Sequence, residues 1–424
     1  MIGAPILNQM KWFQESRHVL RALTGSASLA VHEIEKDKVE TKHARVRPLP
    51  AATDHLQFSA WRLAHAIKKA DCARWRASSS LFVGASGFLI ENAQLFTWNG
   101  KALALNDGAS ELLADFSGSS LAGRVAQGMT LLFLESKGYS YVGRFETEWR
   151  QRAAAQNKVW PAGKKKAPDF IAENVQKEWI LAESKGGFAK PDTQPNIKGA
   201  LSEGLSQLDG WDKHMHPRPI KSFVVGTFLR ESGDLSDEKS LLAFVDPEPG
   251  EPETPVEFPR DAVRRANYAS WLSLMGFDAA AERILRRTGE PQRQSVPVLS
   301  LAGRKFVIRI ASVSTKIRDP SSSDFWQEID ELFYLPHRSV REGLRVEVFG
   351  IDLSVLRALE HRSHEDVSRN LLALIPQEGS DNQLDVGRGG FYGSIFSDGS
   401  LLGELRTNRA SMAMPEFEWI EIDI

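Results

Sequence analysis

Asp246 to Pro259 reads DPEPGEPETPVEFP, with five prolines and five acidic residues in fourteen positions. Each proline removes a backbone donor and fixes φ, so no helix interior and no inner strand can pass through such a stretch. The chain must therefore organise itself on either side of a linker. Its 424 residues lead to an expectation of two or three domains. The composition places them at 1–115 (an α+β region), 116–246 (a central α/β core) and 260–424 (an α+β C-terminal domain).

The hydrophobic and charged fractions, 42% and 25%, are those of a folded globular protein. A net charge of −2 provides no overall basic coat for nucleic acid, so any such contact has to come from local patches. Cys72 is the only cysteine, which excludes an intramolecular disulfide and a cysteine-based zinc cluster and fits a reducing compartment. There is no apolar run of the roughly 18 residues that a membrane span needs, and no secretion-signal pattern. The expected location is the cytoplasm, with no membrane partner.

Periodicity predicts helices over Lys11 to Leu23 and His55 to Trp75, and strands over Ser80 to Ile90 and Ala93 to Leu105. A helix is expected from Ser120 to Lys137, capped by Ser119 or Ser120 and stopped by Gly138. Tyr139 to Trp149, Asp169 to Glu173, Trp179 to Lys185, Lys221 to Leu229 and Leu241 to Val245 read as strands, with a helix over Asn196 to His214. The central order of helix, three strands, helix and strand is an α/β layer arrangement. Beyond the linker, Arg260 to Arg287 is predicted helical, Val296 to Ser314 is predicted as two strands about Ala302-Gly303, and Phe325 to Leu332 as a helix. Leu344 to Phe349 and Gly390 to Phe396 read as strands, with a turn at Asp398-Gly399.

The chemistry concentrates in Ala167-Pro168-Asp169-Phe170 and Leu181-Ala182-Glu183-Ser184-Lys185-Gly186. A symmetric turn centred on Gln176 pairs residue 170 with 182 and 172 with 180, and sets Asp169 opposite Glu183. Opposed residues have Cβ atoms roughly 4.5–5.5 Å apart, so the two carboxylates repel unless a cation lies between them. Mg²⁺ or Mn²⁺ held by Asp169, Glu183 and the Ser184 carbonyl answers that need. It would polarise a phosphate and acidify a bound water. Lys185, two residues past Glu183, points to the same face, where it can orient that water or stabilise charge on phosphorus. Seven Lys or Arg residues between Arg144 and Lys166, among them Lys164, Lys165 and Lys166, lead into Pro168-Asp169 and offer a basic contact for nucleic acid.

Pro168-Asp169 with Glu183-Ser184-Lys185 resembles the motif of the PD-(D/E)XK, or restriction-endonuclease-like, nucleases, over roughly residues 119–245. The resemblance implies a restriction-endonuclease-like core (a mixed sheet flanked by helices), Mg²⁺ dependence, and cleavage of nucleic acid, usually DNA, that leaves a 5′-phosphate. Such nucleases often carry a glutamate on the helix before the core; here Gln127 stands in that place, able to hold a water but bringing no charge. Some exonuclease-like members carry a glutamine and an aromatic residue four apart on the following helix, and Gln207 and Trp211 have that spacing.

Other motifs are weaker. His214 with His216, and His361 with His364, lack further ligands for zinc. No Gly-x-x-x-x-Gly-Lys-Ser/Thr loop and no Gly-x-Ser-x-Gly elbow occurs. Arg283, Arg286, Arg287, Arg304 and Lys305 offer a second basic face. The expectation is a Mg²⁺-dependent endo- or exonuclease acting on DNA, of the kind found in bacterial restriction or anti-phage defence, alone or with a partner subunit or a second copy. The alternatives are a catalytically weak or silent DNA-binding scaffold subunit, which Gln127 favours, and an end- or junction-processing repair nuclease.

Overall fold

The computed structural model describes residues 18, 21–71, 85–164, 166–189, 193–233, 238–248, 255–311, 345–360, 363–380, 383–386, 389–407 and 417–424. Most of the helix expected over Lys11 to Leu23, the first part of the strand expected over Ser80 to Ile90, the helix expected over Phe325 to Leu332, and Cys72, Lys165 and His361 lie outside them.

The fold is mixed α/β. One seven-stranded mixed sheet runs in the order β2 (Asp54–Ser59), β1 (Ser26–Glu33), β8 (Leu241–Val245), β7 (Lys221–Leu229), β5 (Trp179–Phe188), β4 (Phe170–Glu173), β3 (Tyr141–Arg144). Strands β3, β4 and β5 form an antiparallel meander, and β7 runs parallel to β5. A parallel neighbour needs a crossover, and α7 (Ile197–Leu208) provides it, with the Asn196 side chain accepting from the Gly199 N–H as its N-cap. On the other face lies α5 (Asp115–Ser136), whose buried stripe includes Val125, Met129 and Phe133.

The alternation of β5 sorts its residues between these two helices. Ser184 accepts from Thr130 of α5 at 3.1 Å, and Gly186 faces the same helix. A Cβ on Gly186 would stand 2.4 Å from the Ala122 carbonyl oxygen, so only glycine lets α5 lie this close. Glu183 and Lys185 face the opposite side, toward α7.

Several sequence expectations change. The region before residue 115 does not stand apart from the sheet: β1 runs parallel to β8 and antiparallel to β2. The first part of His55 to Trp75 is strand, because Leu56 and Phe58 alternate inward, and α2 (Ala60–Asp71) follows. Ala85–Glu91 is a helix (α3), and 93–105 has isolated bridges in place of a strand. Tyr139 to Trp149 is strand only over Tyr141–Arg144; Phe145, Trp149 and Ala153 repeat every four residues and are buried along α6 (Phe145–Ala155). Helix α5 starts earlier than expected, after Ala114, with no side-chain cap, and ends as predicted before Gly138. Two further short helices are α1 (Lys36–Glu40) and α4 (Ala109–Leu112).

The second sheet is antiparallel, in the order β13 (Gln383–Val386), β14 (Gly389–Ile395), β15 (Ser400–Thr407), β12 (Arg345–Asp352), β11 (Arg304–Ala311), β10 (Arg293–Leu301), β16 (Glu418–Asp423). The helix expected over Arg260 to Arg287 is two, α8 (Ala262–Leu274) and α9 (Asp278–Arg286), because Gly276 adopts φ +80° and turns the chain. Helices α10 (Leu353–Leu359) and α11 (His364–Ala373) complete this part.

Helix α8 ties the two sheets together. The Trp271 indole donates to the Gly350 carbonyl at 2.6 Å on one side, and Asn267 accepts from the Val142 N–H at 3.2 Å on the other. One hydrophobic cluster runs through both parts. The proline-rich stretch is likewise tied down at its end: Val256 and Phe258 are buried, and β9 (Val256–Glu257) pairs with β6 (Met215–His216).

Candidate active site

The β4–β5 register is the one the symmetric turn predicts: Phe170 faces Ala182, Ile171 faces Leu181, and Ala172 faces Ile180. Asp169, one residue before β4, reaches Glu183 through side chains in place of a ladder bond. Its N–H donates to Glu183 Oε2 at 3.1 Å, and Asp169 Oδ2 accepts from the Ser184 N–H at 3.0 Å. Glu183 thus caps the start of β4, and Asp169 takes a backbone N–H in the middle of β5. The Ser184 N–H points toward the end of β4, and in an extended strand the carbonyl of the same residue points the same way.

Lys185 Nζ lies 2.8 Å from Glu183 Oε1 and 3.4 Å from Glu203 Oε1 on α7. Glu203 also takes Lys166 at 3.3 Å and the Gln207 amide at 3.0 Å. Arg144 comes from the end of β3, opposite Phe170 in the ladder. Its Nη1 is 3.7 Å from Asp169 Oδ1, and its Nη2 donates to Gln127 Oε1 at 2.8 Å and to the Ala70 carbonyl at the end of α2. The guanidinium lies 4.5 Å over the Phe170 ring.

The electrostatics follow from burial. Glu183 is almost wholly enclosed, and desolvation, then the neighbouring charge of Asp169, push its carboxyl up to about 7 against the lowering effect of Lys185. Asp169 is also raised by burial, and Arg144 is the largest influence holding it down. Glu203 is exposed and is lowered, first by Lys185.

The donor set fits a hard divalent ion. Two carboxylates from neighbouring chain segments sit close enough that the charge of Asp169 raises Glu183, and that cost is relieved when a cation lies between them. Asp169 and Glu183 would hold it, with the Ser184 carbonyl beside them. Among the described residues there is no group of three His, Cys, Asp or Glu side chains placed to bind a metal, so the site offers two carboxylates and backbone.

The predicted site residues divide. Asp169, Glu183, Ser184 and Lys185 come together where β4 begins, beside the middle of β5, and Gln127 joins them through Arg144. Gln207 is buried at their edge, held to Glu203. Trp211 is not available to stack on a base. It is fully buried, its ring centroid 4.8 Å from Trp160 and 5.4 Å from Trp149, and its indole donates to the Lys166 carbonyl at 3.0 Å. It steadies the backbone leading to Pro168-Asp169.

The basic stretch is corrected in the same way, since much of it is α6. Arg150 pairs with Glu146 at 2.7 Å, Arg152 pairs with Glu148, and Lys164 lies 3.4 Å from Asp209. Lys166 keeps most of its surface exposed. In the second basic face, Arg283 is buried and donates to the Leu359 carbonyl, while Arg287, Arg304 and Lys305 pair with Asp261, Asp352 and Glu418.

Arg144 and Glu203 carry no signal in the motif. Arg144 reads as one more cation in a basic run, and Glu203 as one acid on an amphipathic helix. The one available cue is that Glu203 stands four residues before Gln207, on the same helical face.

Comparison with models of known protein families, with characterised proteins and with solved structures gives no significant match. Among the described residues no helix is long and apolar enough to cross a membrane.

Proposed function

We propose that this chain is a metal-dependent nuclease that hydrolyses phosphodiester bonds of DNA, built on a restriction-endonuclease-like core. The observation that carries the reading is the meeting of Asp169, Glu183 and Lys185 where β4 begins beside the middle of β5. The order of helix α5, meander β3–β4–β5, helix α7 and parallel strand β7 supports it.

Asp169 and Glu183 would hold Mg²⁺ or Mn²⁺, which when bound supplies Lewis-acid polarisation of a phosphate and a more acidic water. Lys185 places an ammonium on the same face, where charge builds on the phosphate oxygens. Glu203 holds that ammonium from the α7 side. Lys166 brings a further cation to the approach, suited to a phosphate backbone. A role in bacterial restriction or anti-phage defence fits a cutter without a nucleotide-driven motor.

A second reading is a nucleic-acid-binding subunit that does not cut. It is favoured by Gln127, a neutral residue bound to Arg144 in place of an acid beside the pair.

The two readings separate in a cleavage assay with supercoiled plasmid, linear DNA and RNA, in Mg²⁺, Mn²⁺ or EDTA. Metal-dependent cleavage that disappears in both Glu183→Ala and Lys185→Ala supports the nuclease. Binding without cleavage of any substrate, unchanged in both variants, supports the silent subunit.

A further inference from the structure

We propose that the Glu203 carboxylate occupies the seat of a phosphate oxygen of the strand to be cut, and that DNA enters the site by displacing it. The inference rests on the nuclease reading for its substrate, though the contacts that build the seat stand without it.

Three donors from separate parts of the chain converge on one atom. Glu203 Oε1 accepts from the Gln207 amide at 3.0 Å and lies 3.3 Å from Lys166 Nζ and 3.4 Å from Lys185 Nζ. Gln207 comes from the next turn of α7, Lys185 from β5, and Lys166 from the segment that leads into Pro168-Asp169. Two ammonium groups and an amide around a single oxygen make a donor set suited to a non-bridging phosphate oxygen. Lys185 fixes where the seat lies. Its Nζ is also 2.8 Å from Glu183 Oε1, so the seat stands beside the acid pair.

Two of the donors are held more firmly than the occupant. Gln207 is 9% exposed and the Lys185 side chain 15%, whereas the Glu203 side chain is 55% exposed. An ion pair at such an exposed acid is worth little and is screened by salt, so the carboxylate can swing into water at small cost. A phosphodiester carries the same single negative charge, and the exchange leaves both lysines paired. In the free protein Glu203 keeps them in place; in the complex it has to be gone.

The test is a titration of fluorescein-labelled DNA duplex with the full chain at low salt in EDTA, read by anisotropy. Glu203→Gln should bind about threefold or more tightly than wild type, because the seat no longer holds a competing charge. Glu146→Gln removes another half-exposed, ion-paired acid, on α6, and should leave binding nearly unchanged. In a Lys166→Gln background the gain from Glu203→Gln should shrink, since the seat has lost a donor. In the cleavage assay Glu203→Gln should lower KM while kcat falls by less than about tenfold.

Binding by Glu203→Gln that equals or falls below wild type overturns the proposal. So does a gain matched by Glu146→Gln, a gain undiminished by Lys166→Gln, or no binding by wild type and Glu203→Gln alike. The two layers separate in the same experiments. Tighter binding by Glu203→Gln in EDTA, with no cleavage by wild type in Mg²⁺ or Mn²⁺, upholds the seat and sinks the nuclease. Cleavage by wild type with binding unmoved in Glu203→Gln does the reverse.

Discussion

The backbone N–H of Asp169 donates to Oε2 of Glu183 at 3.1 Å, so the second acid of the motif holds the chain at the first. This bond places the half-buried Asp169 carboxyl beside the buried Glu183 carboxyl without metal, and the cost appears in the titration of Glu183. Its pKa, pushed up to about 7 from 4.5, lies above the unfolded value. Between those values the folded chain keeps a proton that the unfolded chain has released, so stability falls as pH rises from about 4.5 to about 7 and stays low above. Glu183→Gln, which cannot ionise, should be more stable than wild type at pH 8 by about 1–3 kcal/mol, with the gap closing toward pH 5. Urea unfolding in EDTA at the two pH values measures it. An equal difference at both would contradict a buried, titrating Glu183.

Lys185 has two acidic neighbours of unequal depth. Glu183 is buried and Glu203 is exposed, so the second contact is a surface ion pair of small worth. Glu203→Gln should change stability by less than about 0.5 kcal/mol and lower cleavage by less than about tenfold. Lys185→Ala should lower cleavage by about 10² or more. Equal damage from both, in folded protein, would mean that Glu203 does more than hold the lysine.

The extent to which this site could be read from sequence follows from how local each contact is. The β4–β5 register was legible because the turn is short and one slipped residue would turn Ile171 and Leu181 to the wrong faces. Strands β7 and β8 were legible as short apolar runs with breakers on both sides. The joining of β1 to β8 was not, since parallel pairing of residues about two hundred apart leaves no local pattern. Helix α6 was hidden because Tyr139, Tyr141 and Phe145 suit a strand as well as a helix. Trp211 had the right spacing for a base contact and the wrong surroundings: Trp149 and Trp160, distant in sequence, enclose it.

Glu173 and Arg264 form the best-enclosed ion pair between the mixed sheet and α8. Their side chains are 0% and 1% exposed and 2.5 Å apart, with Trp179 donating to Glu173 at 3.0 Å and Arg264 donating to the Leu371 and Leu374 carbonyls. Removing one partner strands a buried charge. Arg264→Leu should therefore cost about 3–5 kcal/mol, and Glu173→Leu together with Arg264→Leu should recover part of it. Chemical unfolding of the single and double variants reads this. A double variant no better than the sum of the singles would show that the two residues are not coupled.

Gly186 follows Lys185 and lies under α5. In Gly186→Ala the new methyl meets the Ala122 carbonyl and the Ala126 side chain, 2.4 and 2.6 Å from its ideal position. The helix must move, costing about 1–3 kcal/mol. Cleavage should fall as well, because β5 carries Glu183 and Lys185. Thermal melting with the plasmid assay checks both, and a variant with wild-type stability would show that α5 yields freely.

The central claim is that Asp169 and Glu183 together bind a divalent cation. Calorimetric titration of Mn²⁺ into metal-free protein at pH 6.5, in two buffers of different ionisation heat, tests it most directly. The account predicts binding with release of protons, because the Glu183 carboxyl must ionise to bind the ion. It also predicts at least about tenfold weaker binding in Asp169→Asn and in Glu183→Gln. Wild-type protein that takes up no Mn²⁺, or folded variants that bind it as tightly as wild type, would contradict it.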